Sequence, residues 1–184
     1  MDWTAIVQEH GPAVWRTLWR LLGNRGDADE CFQETFLTAL QYSRDQQGRG
    51  VLSWSGLLQR ISTSRAMDRL RQRYRTNAAF QSFSDDSGGG ALDAAPSHRP
   101  GPVEWAVASE LSERLRRALC RLPQPQAEAF SLHALSGWSY EEIGRQTGMS
   151  SSAVGVNIHR ARQRLAELLG DLKAGEASAE VRHD

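Results

Sequence analysis

Between Gln81 and Pro102 the chain loses almost every large apolar side chain after Phe83 and fills with Ser-Asp-Asp-Ser-Gly-Gly-Gly, Ala-Pro, Arg-Pro and Gly-Pro. A stretch of that composition has little to bury and reads as a flexible linker. It divides the chain into two small domains, 1–80 and 103–169, with 81–102 between them; the polar residues 170–184 read as a disordered tail.

On either side of the linker apolar residues recur at three and four, and nothing alternates over the length of a strand, so the expected fold is all-α. Val14, Trp15, Leu18, Leu21 and Leu22 make a first stripe that ends at Gly23-Asn24. Asp27 is placed to cap a second helix, on which Phe32, Phe36, Ala39 and Leu40 share a face. A third helix is expected over 55–75, then helices over 107–121 and 126–135 that stop at Leu122-Pro123 and Ser136-Gly137, and two more after them. With 40% hydrophobic and 24% charged residues the chain is globular. Apolar runs are broken within a few residues by Arg, Gln or Ser, and no basic, cleavable leader opens the sequence, which is the pattern of a soluble, unexported protein. Cys31 and Cys120 lack the spacing of a zinc site or a disulfide framework and read as small buried hydrophobes.

The formal net charge is zero, but it is unevenly spread: residues 1–75 hold eleven Arg against eight acids, while 76–102 and 170–184 are net acidic. Of the 22 basic residues 21 are Arg, the side chain suited to phosphate and base contacts.

Ser139-Tyr140-Glu141-Glu142 has the form of a capping box and starts a helix at Ser139. Gly148 supplies the positive φ of a sharp turn, and Ser150 or Ser151 can cap the helix that follows. Two short helices so joined form a helix-turn-helix, the geometry of many DNA-binding domains. In its second helix Val154, Ile158, Ala161 and Leu165 fall within ~60° of one another at ~100° per residue and turn to the core. The opposite face carries Ser152, Gly155, Val156, His159, Arg160 and Gln163, with Arg162 and Arg164 at its flanks. Arg, Gln and Ser reach base edges or phosphates, and an outward Val suits a thymine methyl. Gly155 costs roughly 1 kcal/mol against Ala in a helix, for which close approach to DNA is one reason. A solvated helix face in a small bundle is the bland alternative. Extended at ~3.4 Å per residue the linker spans on the order of 70–80 Å, about two turns of DNA, so the two domains can reach separate sites on one duplex.

Residues 60–75 hold six Arg against the single acid Asp68. Arg65, Arg69 and Arg73 share a stripe whose mutual repulsion an anionic partner would relieve. Trp54, Tyr74 and the hydroxyls of Ser62, Thr63 and Ser64 lie near them, a mixture that suits unstacked single-stranded bases; solvated arginines and a core Trp54 are the alternative. In the Asp27–Leu40 helix, Asp29, Glu30, Gln33 and Glu34 occupy ~140° beside the apolar face with Leu37 among them. A leucine exposed among acids points to protein docking, although acids in a first turn also complement the helix dipole.

These segments resemble the extracytoplasmic-function sigma factors of the sigma-70 family. DADECFQETFLTA, from Asp27 to Ala39, is similar to the region that docks on the β′ clamp helices of RNA polymerase, and the resemblance implies that role for Asp29, Glu30, Gln33, Glu34 and Leu37. LLQRISTSRAMDRLRQRYR resembles the segment that melts and reads the downstream promoter element, implying contacts by Trp54, Ser64, Arg65, Asp68, Arg69 and Arg73. The stretch from Leu122 to Leu169 is similar to the fourth region, whose helix-turn-helix reads the upstream element, here through Ser151, Ser152, Gly155, Val156, His159, Arg160 and Gln163. Implied with it are core RNA polymerase (β′ clamp helices and β flap), promoter DNA and an anti-sigma factor as partners, with work in the cytoplasm and no membrane insertion. The sequence departs from the family at Ser64, usually Asn, at Leu57, usually Trp, and at Gly155-Val156-Asn157, usually Lys/Arg-Ser-Arg. Fewer phosphate contacts and more dependence on Arg160, the serines and DNA shape are expected. Five scattered His without ligand spacing or an adjacent nucleophile give no catalytic residue, metal or cofactor. A conventional helix-turn-helix regulator and an adaptor binding acidic proteins are the other readings.

Overall fold

The computed structural model describes residues 2–45, 51, 53–81 and 102–180, and among these residues there are seven helices and no strand. They are α1 (Trp3–Leu22), α2 (Arg25–Asp45), α3 (Trp54–Gln81), α4 (Pro102–Cys120), α5 (Gln124–Ser136), α6 (Tyr140–Thr147) and α7 (Ser151–Glu180). Most of the expected linker, 82–101, lies outside the described residues, as does 181–184.

Short polar side chains and glycines set the helix ends. Asp2 accepts the Ala5 N–H at 3.2 Å to start α1, and Gly23 ends it at φ 61°. Asn24, not Asp27 as the sequence suggests, caps α2, its Oδ1 accepting the Asp27 N–H at 3.0 Å. Asp27 thus stands one turn further in, where a carboxylate still favours the positive end of the helix and is free to face α3. Ser53 caps α3 through the Gly56 N–H at 3.1 Å. α4 begins earlier than expected, at Pro102, a residue whose missing N–H costs nothing in a first turn. α7 runs through Gly170 to Glu180, so the backbone of 171–180 is helical where a disordered tail is expected. The Asp-Leu-Lys-Ala run after Gly170 contains good helix formers that offset the ~1 kcal/mol cost of the glycine.

α1, α2 and α3 pack on one another; α5, α6 and α7 form a second group; α4 lies against α3 and α7. One apolar cluster runs through both groups, joining Leu18, Leu21, Leu58, Met67 and Leu70 to Leu119, Leu122, Leu165 and Leu168. Ala129, Leu132, Ile143, Val154 and Ile158 form a smaller core, flanked by Trp138 and Met149. The halves that the sequence allows to reach separate sites are therefore closed on one another here. Polar contacts cross the same boundary. Thr17 and Ser136 both donate to Gln59 Oε1, at 2.8 and 3.3 Å, and Arg20 donates to the Leu135 carbonyl at 3.2 Å. Arg116 of α4, almost wholly buried, donates through Nε to the Leu21 carbonyl at 2.9 Å. Among the described residues no helix is long and apolar enough to cross a membrane.

Leu70 is fully buried in the shared cluster. Leu70→Ala is expected to lower unfolding free energy by ~2–5 kcal/mol in denaturant titration. Gly23 and Gly137 share a left-handed conformation, at φ 61° and 72°, but a Cβ on Gly23 collides with the Arg116 guanidinium while Gly137 has open space. Both Ala variants carry the backbone penalty of roughly 1–2 kcal/mol; Gly23→Ala is expected to lose more than Gly137→Ala, and equal losses would show that the Arg116 contact contributes nothing.

Candidate nucleic-acid and protein interfaces

The helix-turn-helix forms as its residues dictate. Ser139 Oγ accepts the Glu142 N–H at 3.2 Å, and Glu142 Oε2 accepts the Ser139 N–H at 2.8 Å. The Ser139 N–H and then its hydroxyl hold the Glu142 carboxyl below its ordinary pKa. α6 ends at Gly148, φ 78°, and Ser150 caps α7 by accepting the Ala153 N–H at 3.2 Å. Gly144 makes the tight turn feasible, because a Cβ there would stand 2.6 Å from the Met149 carbonyl oxygen. The sequence offers a signal for this residue, a glycine inside a short helix four positions before the turn glycine, although periodicity alone passes over it.

In α7, Val154, Ile158 and Ala161 are fully buried and Leu165 nearly so. Ser151, Ser152, Val156, His159, Arg160 and Gln163 are exposed, together with Arg162 and Arg164. Gly155 is the exception on this face. The Tyr140 ring lies over it, with ring carbons 3.3 and 3.5 Å from where a Cβ would stand. Its small size is explained inside the protein, by the seating of Tyr140, and does not require approach of a DNA backbone.

On the other half, α2 exposes Asp29, Glu30, Gln33 and Leu37, with Glu34 partly covered. Leu37 is 59% accessible, the largest value among the exposed large hydrophobics of the described residues. The arginine stripe of α3 lies beside these acids. Arg65 pairs with Glu34 at 3.7 Å and donates to Thr38 Oγ1 at 3.1 Å; Arg69 bonds Glu30 and reaches Asp27 at 2.8 Å; Arg73 reaches Asp27 at 3.5 Å. The hydrogen bond that Arg69 donates to Asp27 is the chief cause of its raised pKa. The repulsion expected to call for an anionic partner is thus relieved within the protein, by acids 31 to 46 positions away in sequence.

Other members of the expected downstream site are dispersed. Asp68 is exposed and pairs with Arg71 at 3.4 Å. Ser64 is half-exposed, whereas Ser62 and Thr63 are buried and cannot face a nucleic acid; Ser62 is turned to the Gln59 carbonyl at 3.0 Å. Trp54 is half-buried, its ring edge-on to Trp3 at 5.4 Å, in a cluster with Phe36 and Phe32. Arg73 is drawn between the two halves: it donates to the Leu22 carbonyl at 3.1 Å, pairs with Glu113 at 3.7 Å and lies 5.1 Å from the Tyr74 ring centre. Tyr74 donates to Glu113 at 2.6 Å, and burial followed by that bond pushes its pKa to about 12. Burial pushes the Cys31 and Cys120 thiols to about 11, so both stay protonated at neutral pH, as small packing residues would.

Residues 6–76 match the family described as Sigma-70 region 2, and residues 112–165 the one described as Sigma-70, region 4. The chain is 33% identical over 168 residues to the ECF RNA polymerase sigma factor SigE of Mycolicibacterium smegmatis, a match covering 91% of this chain and 62% of that relative. It is 31% identical over 169 residues to the RNA polymerase sigma factor CarQ of Myxococcus xanthus, covering 91% of this chain and 89% of CarQ. Its fold is similar to that of the sigma factor RpoE from Bartonella quintana, crystallised with the anti-sigma factor NepR, with a TM-score of 0.55 at 22% identity over 92% of this chain and 97% of that one. With both regions in order and this identity over nearly the whole of CarQ, the chain belongs to the extracytoplasmic-function sigma factors of the sigma-70 family.

Proposed function

We propose that this chain binds core RNA polymerase and directs it to specific promoters, the polymerase supplying all bond-making chemistry. The observation that carries the reading is the exposed acid-and-leucine face of α2, because a regulator that only binds DNA has no use for it. Asp29, Glu30, Gln33, Glu34 and Leu37 dock on the β′ clamp helices, and the β flap is met by the second half. In functional terms the chain divides into a docking and downstream-reading domain over 1–80, a linker over 81–102 and an upstream-reading domain over 103–169, with a tail over 170–184.

Ser64, Arg65, Asp68, Arg69 and Arg73 contact the downstream element, with Trp54 at the rim of its aromatic cluster. Ser151, Ser152, Gly155, Val156, His159, Arg160 and Gln163 line the upstream reader. An anti-sigma protein, the class of partner with which RpoE was crystallised, holds the chain inactive in the cytoplasm by covering these faces. The exposed pairs between α2 and α3 are individually weak, at about 0–1 kcal/mol, so a partner that competes for the acids meets little resistance from them.

Core bacterial polymerase with a library of promoter fragments is expected to give discrete transcription starts only when the chain is added. Reversing Glu30 and Glu34 to Arg should reduce those starts at least ten-fold while the circular dichroism spectrum stays helical; the melting point falls somewhat, because two cations then face Arg65 and Arg69. Arg160→Ala should also lower transcription without impairing polymerase binding; normal transcription would remove Arg160 from the reader. Sequence-specific DNA binding without any starts would identify a conventional helix-turn-helix regulator instead.

A further inference from the structure

Among the described residues, α7 exposes one large apolar side chain. Val156 is 46% accessible, whereas Val154 and Ile158, on either side of it in sequence, are fully buried. It stands at the centre of the face, one turn after Ser152 and one turn before His159 and Arg160. Nothing polar takes its place there. Asn157, next in sequence, turns its amide inward, donating to the Ala153 carbonyl at 3.0 Å and lying 3.5 Å from Met149 Sδ. Gly155, the residue before it, has no side chain, and the space is taken by the Tyr140 ring, itself 37% accessible. Valine in a helix is held almost wholly in one χ1 rotamer, so its methyl groups are fixed before any partner arrives.

We propose that Val156, flanked by the Tyr140 ring seated on Gly155, forms an apolar contact for the 5-methyl group of a thymine in the upstream promoter element. This rests on α7 being the upstream reader. In the major groove a thymine presents a methyl group beside its O4 acceptor, whereas the edges of guanine, adenine and unmodified cytosine are polar. A rigid branched aliphatic group at the centre of a reading helix discriminates by that methyl. Ser152, His159 and Arg160 around it fix the register through polar edges and phosphates. Specificity at this position comes from burying one methyl group, an effect of about three- to five-fold per site.

The test takes the full chain with core polymerase and a promoter selected from a fragment library, and replaces each thymine of the upstream element in turn by deoxyuridine, which removes the methyl and nothing else. One or two positions are expected to weaken holoenzyme binding by about three- to five-fold. Val156→Ser should bind the thymine and uracil duplexes equally. Gly155→Ala, which improves helix propensity but displaces the Tyr140 ring, should blunt the same preference with the fold retained. Equal binding of the parent protein to every uracil-substituted duplex would overturn the methyl contact and leave the upstream reader standing. If no fragment is selected and no starts appear, the sigma-factor reading falls, and this inference with it.

Discussion

A guanidinium from the second half of the chain closes the last turn of its first helix. Arg116 Nε meets the Leu21 carbonyl, and Arg73 of α3 meets the next one, Leu22. Two cations therefore satisfy carbonyls that α1 leaves without intrahelical partners, at the negative end of its dipole. Glu113 balances them, pairing with Arg116 at 3.5 Å and Arg73 at 3.7 Å and accepting the Tyr74 hydroxyl. A charge as buried as Arg116 is tolerated only when it is hydrogen-bonded and paired, and both conditions are met, by Leu21 of α1 and Glu113 of α4. The same seating lays α4 along α3 and brings Leu119 and Leu122 into the apolar cluster. Gly23 leaves the room in which the guanidinium lies.

Local features were legible in the sequence because their partners are a few residues away. The Ser139 capping box, the Gly148 turn and the inward stripe of α7 stand as the residues indicate, and so does the outward polarity of α7. Features that depend on distant partners were not. The arginines of α3 read as a repelling stripe until α2 places Asp27, Glu30 and Glu34 against them. Gly155 read as an opening toward DNA because nothing in sequence brings Tyr140 across from α6. Thr63 stands beside arginines in the sequence, yet its helical phase takes it inside. Asn24 and Asp27 are both good caps, and only the backbone path decides between them.

The electrostatics of the two halves follow different rules. Between α2 and α3 the inner members, Asp27 and Arg69, are 19% and 29% accessible in their side chains, while Glu34 and Arg65 are each near 45%. The outer pair is screened by water and salt and is readily given up; the inner pair holds the register of the two helices. On α7, Arg160 and Arg162 are exposed and Arg164 pairs with Glu167 at 3.1 Å, so that surface keeps positive charge for other uses. A neutral chain thus presents locally opposite charge, acidic on α2 and basic over residues 160–164 of α7, which its zero net charge conceals.

The continuous apolar cluster that joins the two halves sets a condition on every binding partner. Any parted arrangement of the halves stands in equilibrium with this closed one, and a ligand moves that equilibrium only by the difference between its affinities for the two. A partner that grips both arrangements equally leaves their populations unchanged, however tightly it holds. One that engages only the parted form has its apparent affinity reduced by the fraction of molecules already parted, whereas one that clasps the closed form meets no such reduction. Leu119, Leu122, Leu165 and Leu168 therefore influence the strength of contacts made elsewhere on the surface, through the population they favour.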